Sequence, residues 1–240
     1  MHIMTRTGAT FASMLLATGL LAGCSQATSD EPAKPKASQS ATTEHEVDSE
    51  TVQIANGHFS VKLPKGWQMK EITNEYYQYN PEAAASIEFT NPDGQVMATL
   101  RTGADPWAEE AIPPPAKDNV LIDGGTLNEE KGAHLTFVAD AASPDSAVIE
   151  LTELSPDQQA GYPAVAVPFN YQGGSATFER KIGPKDELTD VDADLKGAER
   201  MRAYAKTEEY AQLKSLMMSF EQLKDIQEQP PQEPTETPGT

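Results

Sequence analysis

Between Thr51 and Ile182 the chain runs in short stretches where apolar and polar residues alternate, each stopped by residues suited to a tight turn. A period of two sends successive side chains to opposite faces of a strand, so such runs read as half-buried β-strands. Tight turns between them force antiparallel neighbours. Thr51 to Ile54 and Phe59 to Leu63 alternate on either side of Asn56-Gly57, which predicts a hairpin. Pro64 and Gly66 end the second strand, and Trp67 follows as a core-edge aromatic. Ser86 to Thr90 puts Ile87 and Phe89 on one face. In Asn91-Pro92-Asp93-Gly94 the proline presets φ and the glycine accepts a left-handed backbone, so Val96, Ala98 and Leu100 return as the next strand.

Further strands are expected at Ala133 to Ala139, Ala147 to Leu154, Ala164 to Tyr171 and Ser175 to Ile182, with Gly173-Gly174 as the two-residue loop joining the last two. Pro168 places the third of these at an edge. Asp105-Pro106 has the form of a helix start, running through Trp107 and Ala111 until Pro113-Pro114-Pro115 stops it. Thr189, with Asp192 three residues on, opens the helical end, where Val191, Leu195, Ala198 and Met201 recur at helical spacing. Thr207 caps a second segment with the stripe Tyr210, Leu213, Met217 and Phe220. Strands followed by a closing helix predict an α+β fold, an antiparallel β-sheet with a C-terminal helix packed on it.

The N-terminal residues are of another kind. One basic residue, Arg6, precedes the apolar run Phe11 to Leu21, which falls short of the ~20 apolar residues of a spanning helix and has the size of a signal-peptide core. Leu21-Ala22-Gly23-Cys24 closes that run, and Cys24 is the single cysteine in the chain, with no partner for a disulfide. These four residues resemble the lipobox of bacterial lipoproteins. The resemblance implies cleavage after Gly23, a lipid on the Cys24 sulfur, and residence on the extracytoplasmic face of a bacterial cell membrane. Two acyl chains, at about 0.8 kcal/mol per buried CH₂, hold a protein far more firmly than one. An ordinary signal peptide with a chance cysteine is the competing reading.

Segments 1–23 and 24–50 are accordingly expected to be a signal peptide, and a lipidated cysteine with a disordered tether; Ser25 to Glu50 holds one aliphatic beyond alanine, Val47. A flexible tether of that length reaches roughly 30 Å. Residues 51–224 form the expected globular domain, and 225–240, with four prolines, a disordered tail. Within the domain, Phe59-Ser60-Val61-Lys62-Leu63-Pro64-Lys65-Gly66-Trp67 resembles the opening of PsbP-like domains, and Leu216-Met217-Met218-Ser219-Phe220 their close. That resemblance implies an α/β/α sandwich around an antiparallel sheet, and its bacterial members include lipid-anchored extracytoplasmic proteins. No catalytic residue comes with it.

The formal charge is −19, with 37 acidic against 18 basic residues and no acid before Cys24. Such a balance argues against nucleic acid and against adsorption on an anionic membrane face. Of the four histidines, His58 and His134 lie in the expected domain, with no His pair at i,i+4 and no cysteine to join them in a zinc site. No Gly-x-Ser-x-Gly, phosphate-binding loop or dinucleotide fingerprint is present. Asp190-Val191-Asp192-Ala193-Asp194 has the alternate acids of a calcium loop but Leu195 where glycine is needed and Met201 where the bidentate Glu belongs, so acids at a helix N-terminus explain it better. Tyr76, Tyr77 and Tyr79 fit either a groove for glycan or peptide or a strand with half-buried tyrosines, the second being the simpler.

No catalytic set, metal or cofactor is therefore expected. The sequence reads as a non-enzymatic binding or interaction module of the cell envelope, held to the membrane by Cys24 and meeting an envelope protein or a small ligand. The alternatives are a carboxylate-dependent envelope hydrolase, since paired acids recur throughout, and a structural spacer.

Overall fold

The computed structural model describes residues 47–72, 80–104, 119–128, 133–156 and 169–226. Cys24 and its lipobox, the tyrosines at 76, 77 and 79, the expected helix at 105–111 and Pro168 lie outside them.

The described strands form two antiparallel sheets. β1 (Ser49–Ile54), β2 (Phe59–Pro64) and β11 (Glu221–Gln222) make a small sheet in the order β1-β2-β11. The larger sheet holds β3 (Gln68–Glu71), β4 (Ala85–Thr90), β5 (Val96–Ala104), β6 (Val120–Asn128), β7 (Ala133–Ala139), β8 (Ala147–Thr152), β9 (Phe169–Tyr171) and β10 (Gly174–Ile182). Its order is β3-β4-β5-β10-β8-β7-β6, with β9 pairing the start of β10. Two helices follow, α1 (Gly197–Tyr204) over β6 and β7, and α2 (Glu208–Met218) between β2 and β7. The expectation of an antiparallel sheet closed by C-terminal helices holds, as an α+β arrangement.

The turns carry most of this topology. In the first hairpin Ile54 pairs with Phe59, so the loop is Ala55 to His58, with Ala55, Asn56 and Gly57 all at positive φ. Asn56 donates to Glu82 O at 3.1 Å, which offsets part of that strain. Asn91 organises the second turn: its O accepts from Gly94 N at 2.9 Å, and its Oδ1 from Asp93 N and Gln95 N. The third turn differs from expectation by one residue. Tyr171 pairs with Gly174, leaving Gln172-Gly173 as the loop, and Gly173 takes φ +90.

Three further differences stand out. Residues 189–196 are a chain of turns, not a helix, because Asp190 and Gly197 are left-handed (φ 58 and 55) and interrupt any helical run. Thr207, by contrast, caps α2 as expected, its Oγ1 accepting from Tyr210 N at 3.2 Å. β3 is exposed along its whole length, and β6 carries Gly124-Gly125 in place of an apolar alternation. A side chain at Gly124 would strike Pro156, which is why this strand lacks the usual signature. At the ends, Ser49 and Glu50 already belong to β1, and Ile226 is buried.

The apolar core lies between the larger sheet and the helices. Phe89, Leu100, Phe178, Leu151, Ile149 and Phe137 face Met201, Tyr204, Tyr210, Leu213 and Met217. Each such side chain contributes about 1.5–3 kcal/mol when fully buried. Phe59 stacks on Phe220 and meets Tyr171 edge-on, which joins the small sheet to the same core. At Gly103 (φ +80) the backbone itself is close: a Cβ there would lie 2.7 Å from the Ala84 Cα. Gly103→Ala should destabilise the fold by at least about 2 kcal/mol in denaturant unfolding, the sum of left-handed strain and a backbone clash.

Candidate functional site

Directly opposed residues of adjacent strands share a face. The register therefore sorts the larger sheet into two unlike surfaces. One row, Arg180–Ile149–Phe137–Asp123, lies on the side that meets the helices. The next row, Lys70–Glu88–Thr99–Glu179–Glu150–Thr136–Gly124, lies on the opposite side and contains no aliphatic or aromatic residue. Beside it Ser86, Arg101 and Thr177 line up across β4, β5 and β10, and Thr152, His134 and Thr126 across β8, β7 and β6.

On this polar face the centre is buried. Glu150 is 1% and Glu179 8% exposed, and Thr136 and Thr152 are fully buried. Two carboxylates opposed across a ladder repel each other. Around Glu179 that is offset by Lys181 Nζ at 3.1 Å from Oε2 and by Arg101 Nη1 at 3.9 Å from Oε1. Thr136 Oγ1, next to Glu150, has no hydrogen-bond partner.

The helix side holds a second polar centre, enclosed in the core. Arg180, at a position whose neighbours Phe178 and Ile182 are core residues, donates from Nη1 to Tyr204 Oη at 2.8 Å and to Met97 Sδ at 3.0 Å, and lies 3.5 Å from Glu209 Oε1. Glu209 Oε2 accepts from Thr189 Oγ1 at 2.7 Å and from Asn91 Nδ2 at 3.2 Å. Glu209 sits in the first turn of α2, where the helix dipole also favours an anion. At the margin of the same layer, Asp123 Oδ2 accepts from Tyr210 Oη at 2.8 Å and from Lys214 Nζ at 2.7 Å. Arg200 reaches the carbonyls of Asp145, Gly183 and Asp186, fastening the loops ahead of α1.

Burial dominates the tyrosines' protonation. It raises the pKa of Tyr204 and Tyr210 well above the usual value; Glu209 adds to the rise at Tyr204 and Asp123 at Tyr210, while Arg180 partly opposes it at Tyr204. Tyr171, whose Oη accepts from Gly103 N at 2.8 Å, is pushed up from 10.0 to about 12, chiefly by burial.

Of the residues singled out in the sequence, His58 and His134 are not part of either centre. His58 closes the first hairpin loop, half-buried with Nδ1 unpartnered, and His134 Nδ1 lies 3.4 Å from Thr126 Oγ1 on the polar face. The acids at 190–194 precede α1 by several residues, so they do not form its N-terminus; Asp192 Oδ1 accepts from Asp194 N at 2.9 Å as a local turn. Among the described residues no group of three or more His, Cys, Asp or Glu side chains is placed to hold a metal ion. Among the same residues no helix is long and apolar enough to cross a membrane. The sequence reading missed both centres. Arg180 was visible as the one charge on the apolar side of the alternating run Ser175 to Ile182, and Glu150 as the one charge within Val148 to Leu151.

No family model matches the sequence, and no curated protein matches it.

Two outcomes are expected. Tyr171 contributes stability that is whole below pH 10 and is lost as the pH rises from 10.0 to about 12, where the folded form also ionises. Alkaline unfolding followed by circular dichroism should therefore steepen above pH 10, and Tyr171→Phe should remove part of that slope. Thr136→Val removes a hydroxyl that nothing pairs and keeps the shape, so it should leave stability unchanged or raise it by about 1 kcal/mol.

Proposed function

We propose that this chain is a lipid-anchored extracytoplasmic lipoprotein whose α+β domain serves as a non-enzymatic binding or interaction module of a bacterial cell envelope. The observation that carries the reading is Leu21-Ala22-Gly23-Cys24 at the end of a short apolar core, with the chain's one cysteine at the lipidation position. The tether then gives a folded head a high effective concentration near membrane partners without further contacts. The partner is an envelope protein or a small ligand, with no role for nucleic acid.

We further assign the domain to the PsbP-like α/β/α type. Support comes from the burial of Val138, Val148, Glu150 and Thr152 on the sheet face turned away from α1 and α2, since a sandwich covers both faces. The opening strand with Pro64, Gly66 and Trp67 adds to it: Trp67 is buried and donates from Nε1 to Gln212 Oε1 of α2 at 2.9 Å.

The hydrolase reading draws on one observation, the opposed carboxylates of Glu150 and Glu179. Two features favour the module instead. Both carboxylates are buried, and Glu179 is already paired with two cations, whereas a general acid or nucleophile must reach substrate.

The test is fatty-acid labelling in a bacterial host. The natural sequence should take up label and sediment with membranes, and Cys24→Ala should lose both. Labelling that survives Cys24→Ala would reject the anchor and, with it, the location on which the role depends.

A further inference from the structure

We propose that the C-terminal segment Ser219 to Ile226 is a clasp that closes the edge of β2 against pairing with a second copy of this chain. In an antiparallel strand the backbone groups of alternate residues aim to the same side. On β2 the residues at 59, 61 and 63 aim at β1, while Ser60, Lys62 and, just before the strand, the His58 carbonyl aim the other way. Every one of the latter is met by the clasp. Leu223 N donates to His58 O at 2.8 Å, Glu221 lies opposite Ser60, and Lys62 N donates to Ser219 Oγ at 2.7 Å. The clasp is fixed further on by Lys224 Nζ to Asn56 O at 3.1 Å and by Ile226, which is buried against Gly173.

This cover is thin. β11 is two residues long, and Glu221, Leu223, Lys224 and Asp225 are exposed. Segments tied by few buried contacts open at lower free energy than the core they cover. Once open, β2 offers a row of unpaired N–H and C=O groups, which is a template for strand addition. A second copy fits that edge. Two β2 strands related by a two-fold axis through Ser60 place Lys62 opposite His58 of the other chain, so no lysine faces a lysine, and β1-β2 continues into β2-β1 as one antiparallel sheet.

The double substitution Glu221→Pro/Leu223→Pro in the full chain removes the two donors that face β2, at positions whose side chains are exposed, while Phe220 and Ile226 stay. The light-scattering mass should be twice that of the unsubstituted protein at the same concentration. A folded variant with the unsubstituted protein's mass overturns the proposal. Should the variant fail to fold, hydrogen exchange on the unsubstituted protein decides. The Leu223 and Lys62 amides are expected to exchange at least ~10-fold faster than those of Ile149 and Phe178, and equal rates would show that the clasp never opens apart from the domain.

Discussion

Arg180 and Glu209 form an ion pair inside the apolar layer, and the placement of the helices depends on it. A charge removed from water costs several kcal/mol unless it is paired and its remaining groups are hydrogen-bonded. Arg180 meets that requirement with Tyr204 and Met97, and Glu209 with Thr189 and Asn91. Those partners come from α1, β5, the turns before α1, and the turn between β4 and β5. Only one seating of α2 brings the Glu209 carboxylate within reach of all of them. Apolar contacts such as Leu213 or Met217 would tolerate a helix shifted by a fraction of a turn; the buried pair does not.

The same logic separates the two faces of the sheet. On the helix side one cation is admitted among aromatics and is neutralised on the spot. On the other side whole rows are polar, with Glu179 paired to Lys181 and Arg101 and Glu88 opposite Lys70. A domain that used this sheet only to build a core would not need such a face, since exchanging Glu150 or Thr136 for valine would avoid burying a carboxylate and an orphan hydroxyl.

Much of the fold was legible because turn chemistry is local. Asn56-Gly57 and Asn91 to Gly94 marked hairpins whose φ angles few other residues accept, and Thr207 marked the start of α2. The legible part ended where the determining contact is distant in sequence. Nothing near Thr189 announces that its hydroxyl serves Glu209, so a run with helical spacing was read as a helix, whereas Asp190 and Gly197 take left-handed backbone instead. β6 hid for a similar reason: Gly124 is demanded by Pro156, which packs against the strand from elsewhere in the chain. The polar centres were the least legible. A strand of alternating residues shows which side chains share a face, but the opposition of Glu179 to Glu150 exists only once β10 and β8 are in register.

A double-mutant cycle on Arg180 and Glu209 tests this account most directly, with Arg180→Met, Glu209→Gln and the double variant compared in denaturant unfolding. Each single change strands a polar or charged partner in the core and should cost about 3–5 kcal/mol, while the double variant should cost clearly less than their sum, giving a coupling of at least about 2 kcal/mol. A coupling below about 0.5 kcal/mol would mean that the two side chains act independently. The seating of α2 on the sheet would then have to come from apolar packing alone.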